Sequence, residues 1–131
     1  MSERVSIQPP ELPEPSSALS NVIVSQDLVF VSGQPAFGTT LELVPGGFRE
    51  QAQQVFTNVG HCLRAAGCGY DDVVKINAYI TDRAHLAAYE EVVVDYFNAP
   101  YPVGTLVLVG LGLDGMLIEV DVVARRPSAQ P

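Results

Sequence analysis

The period of hydrophobic positions changes along the chain, and each change marks an element. Val22-Ile23-Val24 and Leu28-Val29-Phe30-Val31 are short β-branched runs separated by Ser25-Gln26-Asp27, the pattern of a hairpin. Ser32-Gly33-Gln34-Pro35 ends the second strand, and Gly38, Pro45 and Gly46 mark the stretch to Gly47 as loop. A helix is predicted from Phe48 to Ala66. Phe48, Ala52, Val55, Phe56, Val59, Cys62, Leu63 and Ala66 recur at steps of three and four and share one face. Arg49, Glu50, Gln53 and Arg64 fall on the other side, and Gly67 takes the left-handed position past the end.

Period two returns at Val73 to Ile80, where Val74, Ile76, Ala78 and Ile80 alternate with Val73, Lys75, Asn77 and Tyr79. Thr81-Asp82 caps a second helix, Arg83 to Phe97, with Leu86, Tyr89, Val93, Tyr96 and Phe97 on its apolar side, and Ala99-Pro100-Tyr101-Pro102 breaks it. Two strands close the chain, Thr105 to Val109 and Met116 to Ala124, around turn glycines 110, 112 and 115. The order ββαβαββ predicts an α+β fold with two helices on one face of a mixed sheet. Val29, Val31, Tyr79 and Val107 are assigned to the other face, too apolar to leave wet, so oligomerisation through that face is expected. Pro9, Pro10, Pro13 and Pro15 predict a flexible or draped arm over residues 1–17, ahead of a single domain over 18–131.

Composition narrows the function. The 131 residues, 47% apolar and 17% charged, exclude disorder over most of the length and leave little room for a second domain. No apolar run approaches the roughly 20 residues of a membrane span, and Met1 to Pro15 lacks a signal-peptide pattern, so a soluble cytoplasmic protein without a membrane partner is expected. Fifteen acidic residues against seven basic ones give a net charge of -8, and no basic stripe is present to displace counterions from phosphates. Nucleic acid is therefore not expected as a partner. Cys62 and Cys68 lie six apart without a CxxC, which argues against zinc and requires no disulfide.

Candidate chemistry is sparse. Leu117, Glu119, Asp121 and Val123 share a strand face, which aligns two carboxylates: Glu119 is either a general acid/base with a raised pKa or a solvated edge residue. Ser32 and Thr105 offer hydroxyl donors to a ligand carbonyl, and the Gly33 backbone allows close approach. His61 and His85 do not form a triad with Ser32, and Lys75 is a Schiff-base candidate or, more simply, a surface lysine.

Several of these segments together resemble one family. Leu28 to Gln34, the Gln51-to-Asn58 helix leading to Leu63-Arg64-Ala65-Ala66-Gly67, Asp72 to Lys75, Ile80-Thr81-Asp82 and Ile118-Glu119-Val120 are similar, in order and spacing, to the Rid family (reactive intermediate deaminases, YjgF or L-PSP type). The resemblance covers about residues 18 to 126. It implies a chorismate-mutase-like fold, a barrel-like homotrimer, small-molecule sites in clefts between subunits, and cofactor-free hydrolysis of imines and enamines such as 2-aminoacrylate.

It also locates departures. The family's arginine that grips the substrate carboxylate, two residues after a proline, corresponds to Gly104 after Pro102. A tyrosine near the arm corresponds to Leu19, an asparagine of the second helix to Glu90, and a cysteine to Leu106, whereas Ser32, Gly33, Thr105 and Glu119 persist. A buried carboxylate substrate needs a compensating charge. Without it an anionic enamine is expected to bind poorly, a neutral or cationic substrate is favoured, and the glycine is expected to leave room for a larger one. Glu119 and Glu90 are the catalytic candidates, Glu90, a departure from the family pattern, being a substitute acid/base, a cation anchor or an ordinary exposed helix position beside Glu91. Ser32, Gly33, Gly104, Thr105, Leu19 and Tyr89 are the substrate-binding candidates, with no metal and no cofactor. The alternative function is a non-catalytic trimeric module that binds a metabolite or a protein; ribonuclease activity conflicts with the acidic charge.

Overall fold

Six strands and two helices make up the described residues, 3–127, of the computed structural model. The strands are β1 (Arg4–Ile7), β2 (Val22–Ser25), β3 (Leu28–Gln34), β4 (Val73–Ile80), β5 (Val103–Leu108) and β6 (Ile118–Arg125); the helices are α1 (Phe48–Ala65) and α2 (Leu86–Val93). They form one sheet in the order β1-β2-β3-β6-β4-β5, antiparallel except for the β4–β5 pair. The expected mixed sheet with two helices is present.

The hydrophobic stripe of α1 explains the core. All eight of its predicted apolar positions are buried, against Val29 and Val31 of β3, Val120, Val122 and Ala124 of β6, and Ile76, Ala78 and Ile80 of β4. Gly67 holds the expected left-handed conformation, φ 79°.

Four expectations are corrected. Val29 and Val31 face the core, not the outer face; Leu28 and Phe30 are the exposed pair. Four successive apolar residues carry no alternation signal, and pairing with Ala124 and Val122 beneath α1 decides the face. In β4 the buried residue is Val73, and Val74 is exposed, because a register shift between Val73 and Lys75 inserts one residue and flips the alternation. The second helix is shorter than Arg83–Phe97: a 3-10 turn over Arg83–His85 precedes α2, and Asp82 caps that turn by accepting the Ala84 N–H at 2.8 Å.

The fourth correction matters most for function. Residues before the prolines are not a loose arm: Val5 and Ile7 alternate with Arg4 and Ser6, and β1 pairs with β2 from Arg4↔Ser25 to Ile7↔Val22. The segment that follows is tied down as well. The Gln8 amide donates to the carbonyls of Pro9, Leu12 and Pro13 at 3.3, 3.1 and 3.4 Å, and Leu12 is buried in the core.

Candidate functional site

Where β3 ends and β6 begins, the proline-rich segment and the loop before β6 enclose an open-mouthed cavity of about 440 Å³. Leu12, Pro13 and Leu19 form one wall, Phe37 and Leu41 a second, and Leu113 and Met116 a third, with Ser32, Gly33 and Glu119 lining it as well. Two amide side chains on the buried face of α1 position the walls. Asn58 donates through Nδ2 to the Pro35 and Phe37 carbonyls at 3.1 and 2.8 Å, which fixes the loop after β3. Gln51 donates to the Gly115 carbonyl at 2.8 Å and accepts the Leu117 N–H at 2.9 Å, which fixes the entry to β6. A chain of amides, Gln34 to Asn21 at 3.1 Å and Asn21 to Gln8 at 3.0 Å, stitches the proline-rich segment to β3.

Glu119 is half-buried, and its carboxyl lies directly on the Gly33 backbone. A Cβ at position 33 would stand 2.2 Å from Glu119 Oε1, so only glycine admits this placement. Burial pushes the Glu119 carboxyl above its ordinary pKa, and the nearby Asp121 carboxylate adds to the rise. Asp121 is itself engaged. It accepts from Asn77 Nδ2 at 2.9 Å, and its hydrogen bond with the Tyr79 phenol is the largest cause of that phenol's raised pKa. Among the described residues the Glu119 carboxyl takes no side-chain hydrogen bond, which leaves it available to a ligand or water. A carboxyl that is held near an apolar cavity, protonates more readily than usual, and retains free lone pairs can both donate and accept a proton.

The family model described as Endoribonuclease L-PSP matches residues 10–126. A 2-iminobutanoate/2-iminopropanoate deaminase of Capra hircus is 33% identical over 109 residues, covering 80% of this chain and 77% of the relative. A RutC family protein of Pyrococcus horikoshii is 33% identical over 115 residues, covering 87% and 91%. The chain belongs to the Rid family. Among solved structures, RidA of an Antarctic Psychrobacter matches with TM-score 0.85 and 32% identity, covering 92% of this chain and 98% of that one. The E. coli protein TdcF with bound serine matches with TM-score 0.87 and 25% identity, covering 94% and 99%. Deaminase-like enzymatic activity is thus the role supported for this Rid chain at the level of its family.

The Rid candidates fall in three places. Leu19, Ser32, Gly33 and Glu119 meet at the cavity. Tyr89 and Glu90 line a second cavity, of about 330 Å³, between α2 and the Tyr101-Pro102 segment. There Glu90 is exposed. Tyr89 is buried with its ring 6.1 Å from that of Phe56, and desolvation first, then Glu90, pushes its phenol up to about 12. Gly104 and Thr105 lie on the edge strand β5, opposite Ile76 and Asn77. Thr105 and Glu119 share the outward face of the sheet, but β4 stands between their strands and their rows differ by two residues. Strand spacing puts their Cα atoms about 12 Å apart. One chain does not bring both to one small molecule.

Two details change the sequence reading. Ser32 Oγ already donates to the Ser20 carbonyl, so it presents lone pairs to the cavity, not a proton. Gly104 leaves no extra room: a Cβ there would sit 2.5 Å from the Ile76 carbonyl oxygen, because β5 lies close against β4. Sequence reasoning missed Gln51 and Asn58. Their signal was a polar side chain inside the apolar stripe of α1, where an unpaired amide would be costly and a paired one is structural. The cysteines are free thiols, and Cys62 is fully buried, with burial raising its pKa to about 12.

Proposed function

We propose that this Rid protein is a cofactor-free hydrolase of imines or enamines, a deaminase or related tautomerase, and that it works in clefts between the chains of a homotrimer. The carrying observation is the Glu119 carboxyl, half-buried beside the cavity with its pKa raised. In its protonated form Glu119 delivers a proton to an enamine carbon or imine nitrogen. As carboxylate it then takes a proton from the water that adds to the C=N carbon. Collapse of the carbinolamine breaks the C–N bond and releases ammonia and a carbonyl compound. The backbone at Gly33, lone pairs of Ser32, and the contact side chain of Leu19 position the substrate from one chain. Thr105, beside Gly104, polarises it from a neighbouring chain, a reading supported by its separation from Glu119 within one chain. Glu90 and Tyr89, in the second cavity, belong to that neighbouring half.

The relatives named as 2-iminobutanoate/2-iminopropanoate deaminases support the reaction class. The substrate proposed here is not a simple 2-aminoacrylate-type acid, since β5, Val-Gly-Thr-Leu-Val-Leu, carries no charge. Ammonia release from imines generated in the cuvette by an amine oxidase tests the proposal. Glu119→Gln is expected to lose at least about 100-fold in turnover, the usual scale for a positioned acid/base. The particle mass is expected at three times the 14.0 kDa of the chain. A second reading, a trimeric module that binds without catalysis, is favoured by one fact: the Ser32 proton is already committed to Ser20. Such a module releases no ammonia in either form and binds its ligand without regard to Thr105.

A further inference from the structure

The cavity beside Glu119 has a definite chemical character. Leu12, Leu19, Phe37, Leu41, Leu113 and Met116 supply its apolar walls, and Glu119 is the only ionisable side chain among the described residues that line it. Leu19, Leu41 and Leu113 stand at the mouth with about half their surface exposed, 55%, 45% and 50%. Large exposed side chains converging on a concave site are the signature of a ligand surface. The sole lysine is remote: Lys75 pairs with Val123, four residues along β6 from Glu119, about 13 Å away. The cavity also exceeds by far the roughly 150 Å³ that encloses a benzene ring.

We infer that this cavity selects an organic cation, a protonated imine or amine that carries an apolar substituent larger than a four-carbon chain. The ammonium or iminium group faces the Glu119 carboxylate, and the substituent lies along Leu41, Leu113 and Met116. A carboxylate ligand in the same place meets a like charge and finds no counter-ion among the lining residues. Glu119 therefore sets the sign of the ligand, and the leucines set its size. The inference shares the location of the proposed active site but is read from binding alone, so the two fail separately.

Isothermal titration of the intact protein with butylamine, hexylamine, hexanoate and hexanol provides the test. Hexylammonium is expected to bind at least about tenfold tighter than hexanoate, with hexanol between them. Each added methylene is expected to gain about fourfold until the cavity is filled. Glu119→Gln is expected to bring hexylammonium down to hexanol, and Leu41→Arg, on the exposed mouth, to favour hexanoate. The inference is overturned if hexanoate binds as tightly as hexylammonium, which would mean that a neighbouring chain supplies a cation. It is overturned too if the amine preference survives Glu119→Gln and vanishes in salt, which would make it a bulk effect of the net charge. Absence of any binding also overturns it, since the walls would then be covered by another chain. Loss of imine turnover with the amine preference intact would remove the catalytic reading and leave this one standing.

Discussion

Two glutamates face two cavities, and the fold treats them differently. Glu119 sits on a central strand, half-buried over a glycine, in a cavity whose walls are fixed by Asn58, Gln51 and the Gln34–Asn21–Gln8 chain. Glu90 sits on a short helix with its side chain exposed, beside a cavity lined by Val93, Val94, Phe97 and Tyr101. Against the Gly33 backbone the Glu119 carboxyl is partly withdrawn from water, and that burial raises its proton affinity. An exposed helix carboxyl rotates into solvent and keeps its freedom. Position in the sheet, and not residue type, separates a candidate reacting group from a peripheral one.

The sharpest way to break this contrast is to disturb each carboxyl without removing the one that is thought to react. Gly33→Ala places a methyl 2.2 Å from Glu119 Oε1, so the carboxyl must swing away from the backbone. A displacement of about an ångström at a reacting group costs on the order of 100-fold. Turnover in the imine assay is therefore expected to fall by about that factor, with the fold intact by circular dichroism. Glu90→Ala is expected to change turnover by less than about threefold. If the two losses are similar, the second cavity reacts as much as the first and the distinction is void.

A smaller effect is expected at Gly104, where the second region meets β5. The close approach of β5 to the Ile76 carbonyl means that any side chain there forces the strand outward. Overpacking against backbone costs about 1–3 kcal/mol. Gly104→Arg is expected to lower the thermal midpoint accordingly and to gain no turnover of 2-iminopropanoate. A variant that melts with the parent and hydrolyses that acid would show that only a guanidinium was missing. It would move the centre of the site toward β5.

Much of this was legible in the chain. The stripe of α1, the glycine stop at Gly67 and the exact extent of β4 follow from period and end signals, because burial on one face leaves a repeating mark. The faces of β3 did not, since Leu28 to Val31 are apolar throughout and only pairing with β6 orients them. β1 was hidden by the prolines that follow it. Of the site, Glu119 and Gly33 stood out as residue types, but their contact did not, because a strand's cross-neighbour depends on register. The engagement of Ser32 with Ser20 and the closed flank of Gly104 are backbone facts with no trace in residue identity. Glu90 and Glu119 were both catalytic candidates, whereas within the chain they face different cavities.

The smallest effect tests the burial of Glu119 itself. Its folded pKa lies above the unfolded value, so between the two values the native state holds more protons than the unfolded chain. Stability must then fall as pH rises through that window, and the penalty is absent below the unfolded value of about 4.3. Glu119→Gln removes the titration, so relative to the parent the variant is expected to gain stability from pH 4 upward and to level off once the native carboxyl is ionised. Urea midpoints at half-unit intervals of pH read the difference. Burial is the larger cause and Asp121 the lesser, so Asp121→Asn should keep most of the parent's slope. Parallel curves for the parent and Glu119→Gln would place the carboxyl in solvent, and the contrast between the two regions would dissolve.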